Sequence, residues 1–178
     1  MKKIISLVLS IFFLLSPLTS CGYNSIMYEH LTDASNYQEY SAQIVDITYY
    51  DKDHTPREDY GSADIATAEY VIIEVLLESK EEIAPFYGVS VDNLPKDCSE
   101  YPVSLKIDSD SNKALYTNGF YNVVKEDTEI TLKASNWIYM DGYFFYVSSV
   151  MYDGVEYLSE SDGLSNIEKM IKKNRSLI

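Results

Sequence analysis

The stretch Trp137-Ile138-Tyr139-Met140-Asp141-Gly142-Tyr143-Phe144-Phe145-Tyr146 decides the fold class. Asp-Gly between two aromatic and apolar runs favours a two-residue hairpin loop. That loop needs positive φ at its centre, which Gly adopts without steric cost. With Met140 opposite Tyr143, opposed positions keep a constant sum along the ladder. One face then pairs Ala134 with Ser149 and Leu132 with Met151, and the other pairs Tyr139 with Phe144 and Trp137 with Tyr146. Trp137, Tyr139, Phe144 and Tyr146 are thus the first candidate contact surface, since rings stacked on a sheet grip sugars, peptides or proteins.

Strand-like alternation continues on both sides of this hairpin. Tyr40 to Tyr50 reads as a strand with Val45, Ile47 and Tyr49 on one face and Ala42 and Ile44 on the other. In Thr67 to Glu78, Val71, Ile73, Val75 and Leu77 share a face, and in Tyr101 to Asp108 so do Val103, Leu105 and Ile107. Thr128 to Met140 alternates through Ile130, Leu132 and Ala134. A second Asp-Gly pair, Asp153-Gly154, predicts a further hairpin into Val155 to Leu158. Between the third and fourth of these strands, Leu115, Phe120 and Val123 or Val124 suit one side of a short helix. The chain closes with a predicted helix from Leu164 to about Asn174, with Leu164, Ile167, Met170 and Ile171 as its apolar stripe. That stripe needs a docking surface, and the aromatic face of the hairpin would serve.

Three strands, a short helical segment and two or three more strands is the order of an OB-fold barrel. The passage Asn118 to Lys133 resembles the step from helix to fourth strand in OB domains. The resemblance spans roughly Tyr37 to Leu158. It implies a mostly β, five- to six-stranded OB-like barrel with a short helix before strand 4 and a C-terminal helix; a β-sandwich gives a similar string of strands. The expected layout is a leader over 1–20, a tether over 21–36, the β domain over 37–160, and a helix over 161–178 packed on the barrel.

The leader carries the clearest statement about location. Lys2 and Lys3 precede an apolar run from Ile4 to Leu15, the layout of a secretory signal and too short for an ordinary membrane span of ~20 residues. It ends in Leu18-Thr19-Ser20-Cys21, an apolar residue, two small residues and a cysteine. This resembles the lipobox of bacterial lipoproteins. The resemblance implies cleavage before Cys21, a lipid on its sulfur, and a protein held on the extracytoplasmic side of the cell membrane.

The chain has 178 residues and a formal net charge of −14; the leader holds two lysines and no acid, so the remainder carries −16. Such a chain is repelled by phosphate backbones, which disfavours nucleic acid as a partner, and by anionic headgroups. With Cys21 lipidated, Cys98 is the only other cysteine and no internal disulfide forms. Tyrosine is abundant, 17 residues, all after the leader, as suits strands with one buried and one wet face.

Motifs for chemistry are sparse. Asp108-Ser109-Asp110-Ser111-Asn112 opens like a calcium loop, with Asp108, Asp110 and Asn112 as candidate ligands. Lys113 then stands where the loop wants Gly and Gly119 where it wants the bidentate Glu, so the stretch reads as a hairpin turn. His30 and His54 are the only histidines, without neighbours at metal-ligand spacing. No nucleophile elbow or phosphate-cradling glycine loop occurs. The expectation is a lipid-anchored binding or structural protein of the cell envelope, not an enzyme, with no cofactor. Its partner is an oligosaccharide, a peptide or another protein. The rival readings are a small envelope hydrolase, built around His54 and the acids of Asp51 to Asp64, and a calcium-dependent adhesion module at Asp108 to Asn112.

Overall fold

The computed structural model describes residues 28–87, 90–94, 102–135 and 145–175. In chain order these form a helical turn over residues 28–32 (α1), β1 (Tyr37–Tyr50), β2 (Pro56–Arg57), β3 (Tyr70–Leu77) and α2 (Lys80–Tyr87). Next come β4 (Val103–Asp108), α3 (Ser109–Thr117), α4 (Phe120–Val123), β5 (Glu129–Ser135), β6 (Phe145–Tyr152), β7 (Val155–Leu158) and α5 (Glu160–Arg175). Short 3-10 turns lie at Ala34–Asn36, Ala63–Thr67 and Val91–Asn93.

The protein is mostly β. All seven strands join one mixed sheet in which β1, β3, β4, β6 and β5 follow one another and β5 pairs back onto β1, closing a ring. The neighbours along the ring are antiparallel except β4 and β6, which run parallel. A 14-residue β1 makes closure possible, because Tyr37–Gln43 pairs with β5 and Ala42–Tyr50 with β3. The short strands β2 and β7 hang from β1 and β6.

Alternation fills the ring. Val71, Ile73, Val75 and Leu77 of β3, Val103, Leu105 and Ile107 of β4, and Ile130, Leu132 and Ala134 of β5 are all buried in one core cluster. In β1 the expectation needs correcting. A bulge between Ile44 and Asp46 shifts the register, so Ala42 and Ile44 point inward together with Ile47 and Tyr49, while Val45 is 36% exposed. An extra residue in one strand reverses the alternation beyond it, and both apolar sets reach one core.

The two ends of the ring are closed by helices. β3 and β4 are antiparallel, so α2, which follows β3, and α3, which follows β4, lie at opposite ends. At the α2 end, Phe86 meets Phe145 edge-on at 4.3 Å and Tyr40 at 5.2 Å. At the α3 end, Leu115, Phe120 and Ile65 are fully buried. Asn112 fastens this end internally: its amide donates to the Ile65 carbonyl (2.6 Å) and its oxygen accepts from the Tyr121 hydroxyl (2.7 Å).

Two further expectations change. Asp108 to Asn112 is not a hairpin turn but the start of α3. Asp108 is its N-cap, with one carboxylate oxygen accepting from the Asp110 and Ser111 amides. Asp, Ser and Asn favour both turns and caps, because their side chains mimic backbone acceptors, and here the cap prevails. The β5–β6 register also differs from the one projected from Asp141-Gly142, which itself lies outside the described residues. Leu132 faces Val150 rather than Met151, and beyond an irregularity at Lys133/Ala134, Ala134 faces Val147 rather than Ser149. This register seats Leu132 opposite Val150, both 1% exposed, and leaves Ser148 as the extra residue of a bulge. The second Asp-Gly turn forms as expected: Asp153 and Gly154 have φ of 49° and 74° and connect β6 to β7.

The end of the expected tether carries a helical turn, residues 28–32, whose Tyr28 and Leu31 are packed. Leu31 is 1% exposed and joins Tyr37, Tyr146, Ile167 and Ile171 in a second apolar cluster outside the ring. Leu164 and Met170 pack on it, so the stripe of α5 docks on β6 and α1 together. The helix begins at Glu160, earlier than its apolar stripe indicates. The Ser159 hydroxyl accepts from the Asp162 amide, and Gly163 brings the helix onto the sheet. A Cβ on Gly163 would lie 2.0 Å from the Ser148 carbonyl oxygen, so only glycine permits this approach. Among the described residues no helix is long and apolar enough to cross a membrane.

Candidate functional site

The outer face of the ring carries the side chains that alternation excludes from the core. On β1, β3 and β4 these include Tyr50, Tyr70, Ile72, Glu74, Ser104 and Lys106. The register sets Tyr50 opposite Tyr70, Ile72 opposite Lys106, and Lys106 opposite Tyr146 of β6. The Tyr50 and Tyr70 rings stack at 4.7 Å and 15°. From the other side of Tyr70, on β4, the Lys106 ammonium reaches to 4.2 Å from that ring's centroid and 5.9 Å from that of Tyr146. Partial burial, and then the neighbouring Tyr50, push the Tyr70 phenol above its ordinary pKa, so it is a neutral hydrogen-bond donor at physiological pH.

The loop after β1 adds to this patch. Asp51 accepts the amides of Asp53 (3.0 Å) and Thr55 (2.9 Å) and lies 3.8 Å from the Arg57 guanidinium. His54 takes a left-handed φ of 57° and places its ring 5.9 Å from Tyr70. Non-glycine residues adopt that conformation uncommonly and at some energetic cost, here held by the Asp51 bonds. The result is two half-buried stacked phenols flanked by an ammonium and an exposed imidazole, an arrangement that offers ring faces, a cation and several hydrogen-bonding groups to one ligand.

Toward β6 the same face is covered. Tyr146 is 4% exposed beneath Ile167 and Ile171, and the Tyr37 hydroxyl donates to the Leu31 carbonyl (2.9 Å). Burial holds the Tyr37 phenol far above its ordinary pKa. Of the aromatic set expected from sequence, Tyr146 is therefore under the helix, and Trp137, Tyr139 and Phe144 lie outside the described residues. Cys21 and Cys98 lie outside them too.

The candidate calcium ligands diverge. The second carboxylate oxygen of Asp108 accepts from the Ser111 hydroxyl (2.7 Å), and its side chain is 2% exposed; Asn112 is spent on Ile65 and Tyr121. Burial pushes the Asp108 carboxyl above its ordinary pKa despite the bonds it accepts. Among the described residues no three His, Cys, Asp or Glu side chains converge as a metal site. A polar groove of about 480 Å³ between α3 and α5 is lined by Asp110, Lys113, Asp162, Asn166 and Lys169, among others. Tyr50, Tyr70 and Lys106 escaped the sequence reading, since only the β1–β3–β4 register brings them together.

No family model, curated protein or solved structure matches this chain.

Proposed function

We propose that the protein is a lipid-anchored binding protein on the extracytoplasmic side of a bacterial cell membrane, folded as an OB-like barrel. The observation that carries the location is the leader ending in Leu18-Thr19-Ser20-Cys21. The OB-like assignment is supported by the ring order, by the helix between the third and fourth ring strands, and by the parallel closure of β4 on β6. OB barrels bind oligosaccharides and oligonucleotides on the face of their second and third strands and on adjoining loops. The second and third ring strands here are β3 and β4, which carry Tyr70 and Lys106. A charge of −16 after the leader disfavours oligonucleotides. Stacked phenols suit the apolar face of a sugar ring, so an oligosaccharide is the first ligand to try, ahead of a peptide or a protein partner. The stacked rings, the ammonium and the imidazole are groups that bind a ligand, and a binding role is the reading they support.

The location is tested by expressing the full chain and a Cys21→Ala variant in a bacterial host. The wild-type protein should enter the detergent phase of a phase split, with an intact mass equal to residues 21–178 plus the lipid. The variant should remain in the aqueous phase. Wild-type protein in the aqueous phase would overturn the assignment.

A further inference from the structure

We infer that the groove between α3 and α5 is a second binding site, which takes a free dipeptide by its two charged ends. It shares no lining residue with the Tyr50–Tyr70 face. Its volume of about 480 Å³ lies within the ~300–1,000 Å³ of small-molecule sites. The two helices run antiparallel along it. Asn166 of α5 donates to the Ser111 hydroxyl near the start of α3 (3.3 Å), and Asn118, the C-cap of α3, donates to the Tyr157 carbonyl just ahead of α5 (2.8 Å). Asp110, Lys113 and Thr117 on one wall, and Asp162, Asn166 and Lys169 on the other, follow helical spacing and so share a face of each helix.

The charges lining the groove are balanced and not paired with one another. They are two carboxylates and two ammonium groups, on a molecule that carries −16 after its leader. Neither lysine forms an ion pair with either acid; the ion pairs among the described residues lie at Arg57–Asp51, Lys133–Glu160 and Lys172–Glu168. Asn166 is buried, and its oxygen accepts from the Lys169 ammonium (3.3 Å). That bond holds a cation at the level of Asn166, with Lys113 on the opposite wall, where a carboxylate would gain charge-assisted hydrogen bonds. One helical turn toward the start of α5, about 6 Å at ~1.5 Å per residue, stands Asp162. At this end α3 supplies no cation, only Thr117 and Asn118. The Ser159 hydroxyl occupies one oxygen of Asp162 (2.7 Å). The other oxygen, the Thr117 hydroxyl and the side-chain oxygen of Asn118 leave acceptors for the three hydrogens of an ammonium. Asp110, at the opposite end, offsets the second lysine. A single amino acid carries both charges on one carbon and cannot span the two places. Two residues of extended chain reach ~7 Å and can.

The test titrates the full-length protein, as purified, with dialanine, N-acetyl-dialanine and dialanine amide by saturation-transfer NMR. Dialanine should bind saturably at millimolar concentration, and blocking either end should weaken it ~fivefold or more, the loss of one charged hydrogen-bonding group. Two variants then assign the ends, at residues exposed enough for the fold to keep its thermal midpoint. Asp162→Asn should weaken dialanine and its amide and leave N-acetyl-dialanine unchanged. Lys169→Gln should weaken dialanine and N-acetyl-dialanine and leave the amide unchanged. Tyr70→Ala should bind dialanine as the wild type does, which separates this site from the ring face. No saturable signal with dialanine, or equal binding of the free and blocked peptides, would overturn the inference, and that comparison needs no variant. Equal losses for all three peptides in a variant of unchanged thermal midpoint would overturn it as well.

Discussion

The outer face of the ring has two halves built from the same kind of strand, and they have opposite fates. Over β6, Tyr146 is buried beneath α5 and α1; over β1 and β3, Tyr50 and Tyr70 stack in the open beside Lys106. Strand composition does not separate them, because both halves present tyrosines outward. The helix does. Gly163 lets α5 settle against the backbone at the Ser148 bulge, and Ile167 and Ile171 then cover what lies beneath. Tyrosines under the helix serve stability, and those beyond it are left for a ligand.

The difference between the two halves is lost most completely if the helix is removed. Ile167 and Ile171 are 0% and 1% exposed, and burying an isoleucine contributes ~1.5–3 kcal/mol. Ending the chain at Leu158 should therefore cost several kcal/mol, less the ordering entropy of the helix, and lower the thermal midpoint markedly. An unchanged midpoint would mean that the helix is not part of the core.

A smaller cut at the same contact is Gly163→Ala. The new methyl would meet the Ser148 carbonyl oxygen at 2.0 Å and its carbon at 2.7 Å, both backbone atoms that cannot swing away. Overpacking of this kind costs ~1–3 kcal/mol, more than the helix gains from alanine's better propensity of ~1 kcal/mol. Denaturant titration should show a net loss; a gain would place α5 farther from β6.

Asp108 joins the two helical layers, since the Ser111 hydroxyl that donates to it also accepts from the Asn166 amide of α5 at 3.3 Å. Its carboxyl pKa is raised by burial, so the folded state holds this proton more tightly than the unfolded one. Its contribution to stability is complete below the ordinary carboxylate pKa and is lost as pH rises through the folded value. Asp108→Asn keeps a capping oxygen and removes the buried charge. Relative to wild type, the variant should gain stability as pH rises from about 4 toward neutrality. A wild-type-minus-variant difference that is flat with pH would contradict this reading of Asp108.

The smallest effect on stability belongs to the open half. Tyr70→Ala deletes a half-buried ring whose neighbours are solvated, so its main expected consequence is on binding. Loss of one stacking platform should weaken an oligosaccharide ligand about tenfold or more, by ~1–3 kcal/mol, the range measured for stacking of bases on aromatic side chains. Equal affinity by calorimetry would move the ligand elsewhere.

Much of the ring was legible in the sequence because Val103–Ile107 alternates strictly and Val71–Leu77 is an apolar run rich in β-branched residues, interrupted only by Glu74. Legibility ended wherever a single residue broke the period. The Val45 bulge put two apparently opposite faces of β1 into one core, and the β5–β6 pairing is already two residues off the projected register at Ala134–Val147, on the turn side of the Ser148 bulge. Asp108 to Asn112 has the composition of a turn and of a cap, and only the following helix decides. The apolar stripe starts only at Leu164, which concealed the polar first turn of α5 from Glu160. The candidate site was hidden for a topological reason. Tyr50 and Tyr70 face each other only because β1 pairs with β3 across an irregular 19-residue connection, whose closure no local pattern reports.

The division between covered and open halves is read most directly by hydroxyl-radical footprinting of individual tyrosines, in the full domain and in the chain ending at Leu158. Tyr50 and Tyr70 should be oxidised in both proteins, Tyr37 and Tyr146 protected in the full domain only, and the ring-core Tyr121 protected in both. Tyr37 and Tyr146 as reactive as Tyr50 in the full domain, or still protected in the truncated chain while Tyr121 stays protected, would contradict that division.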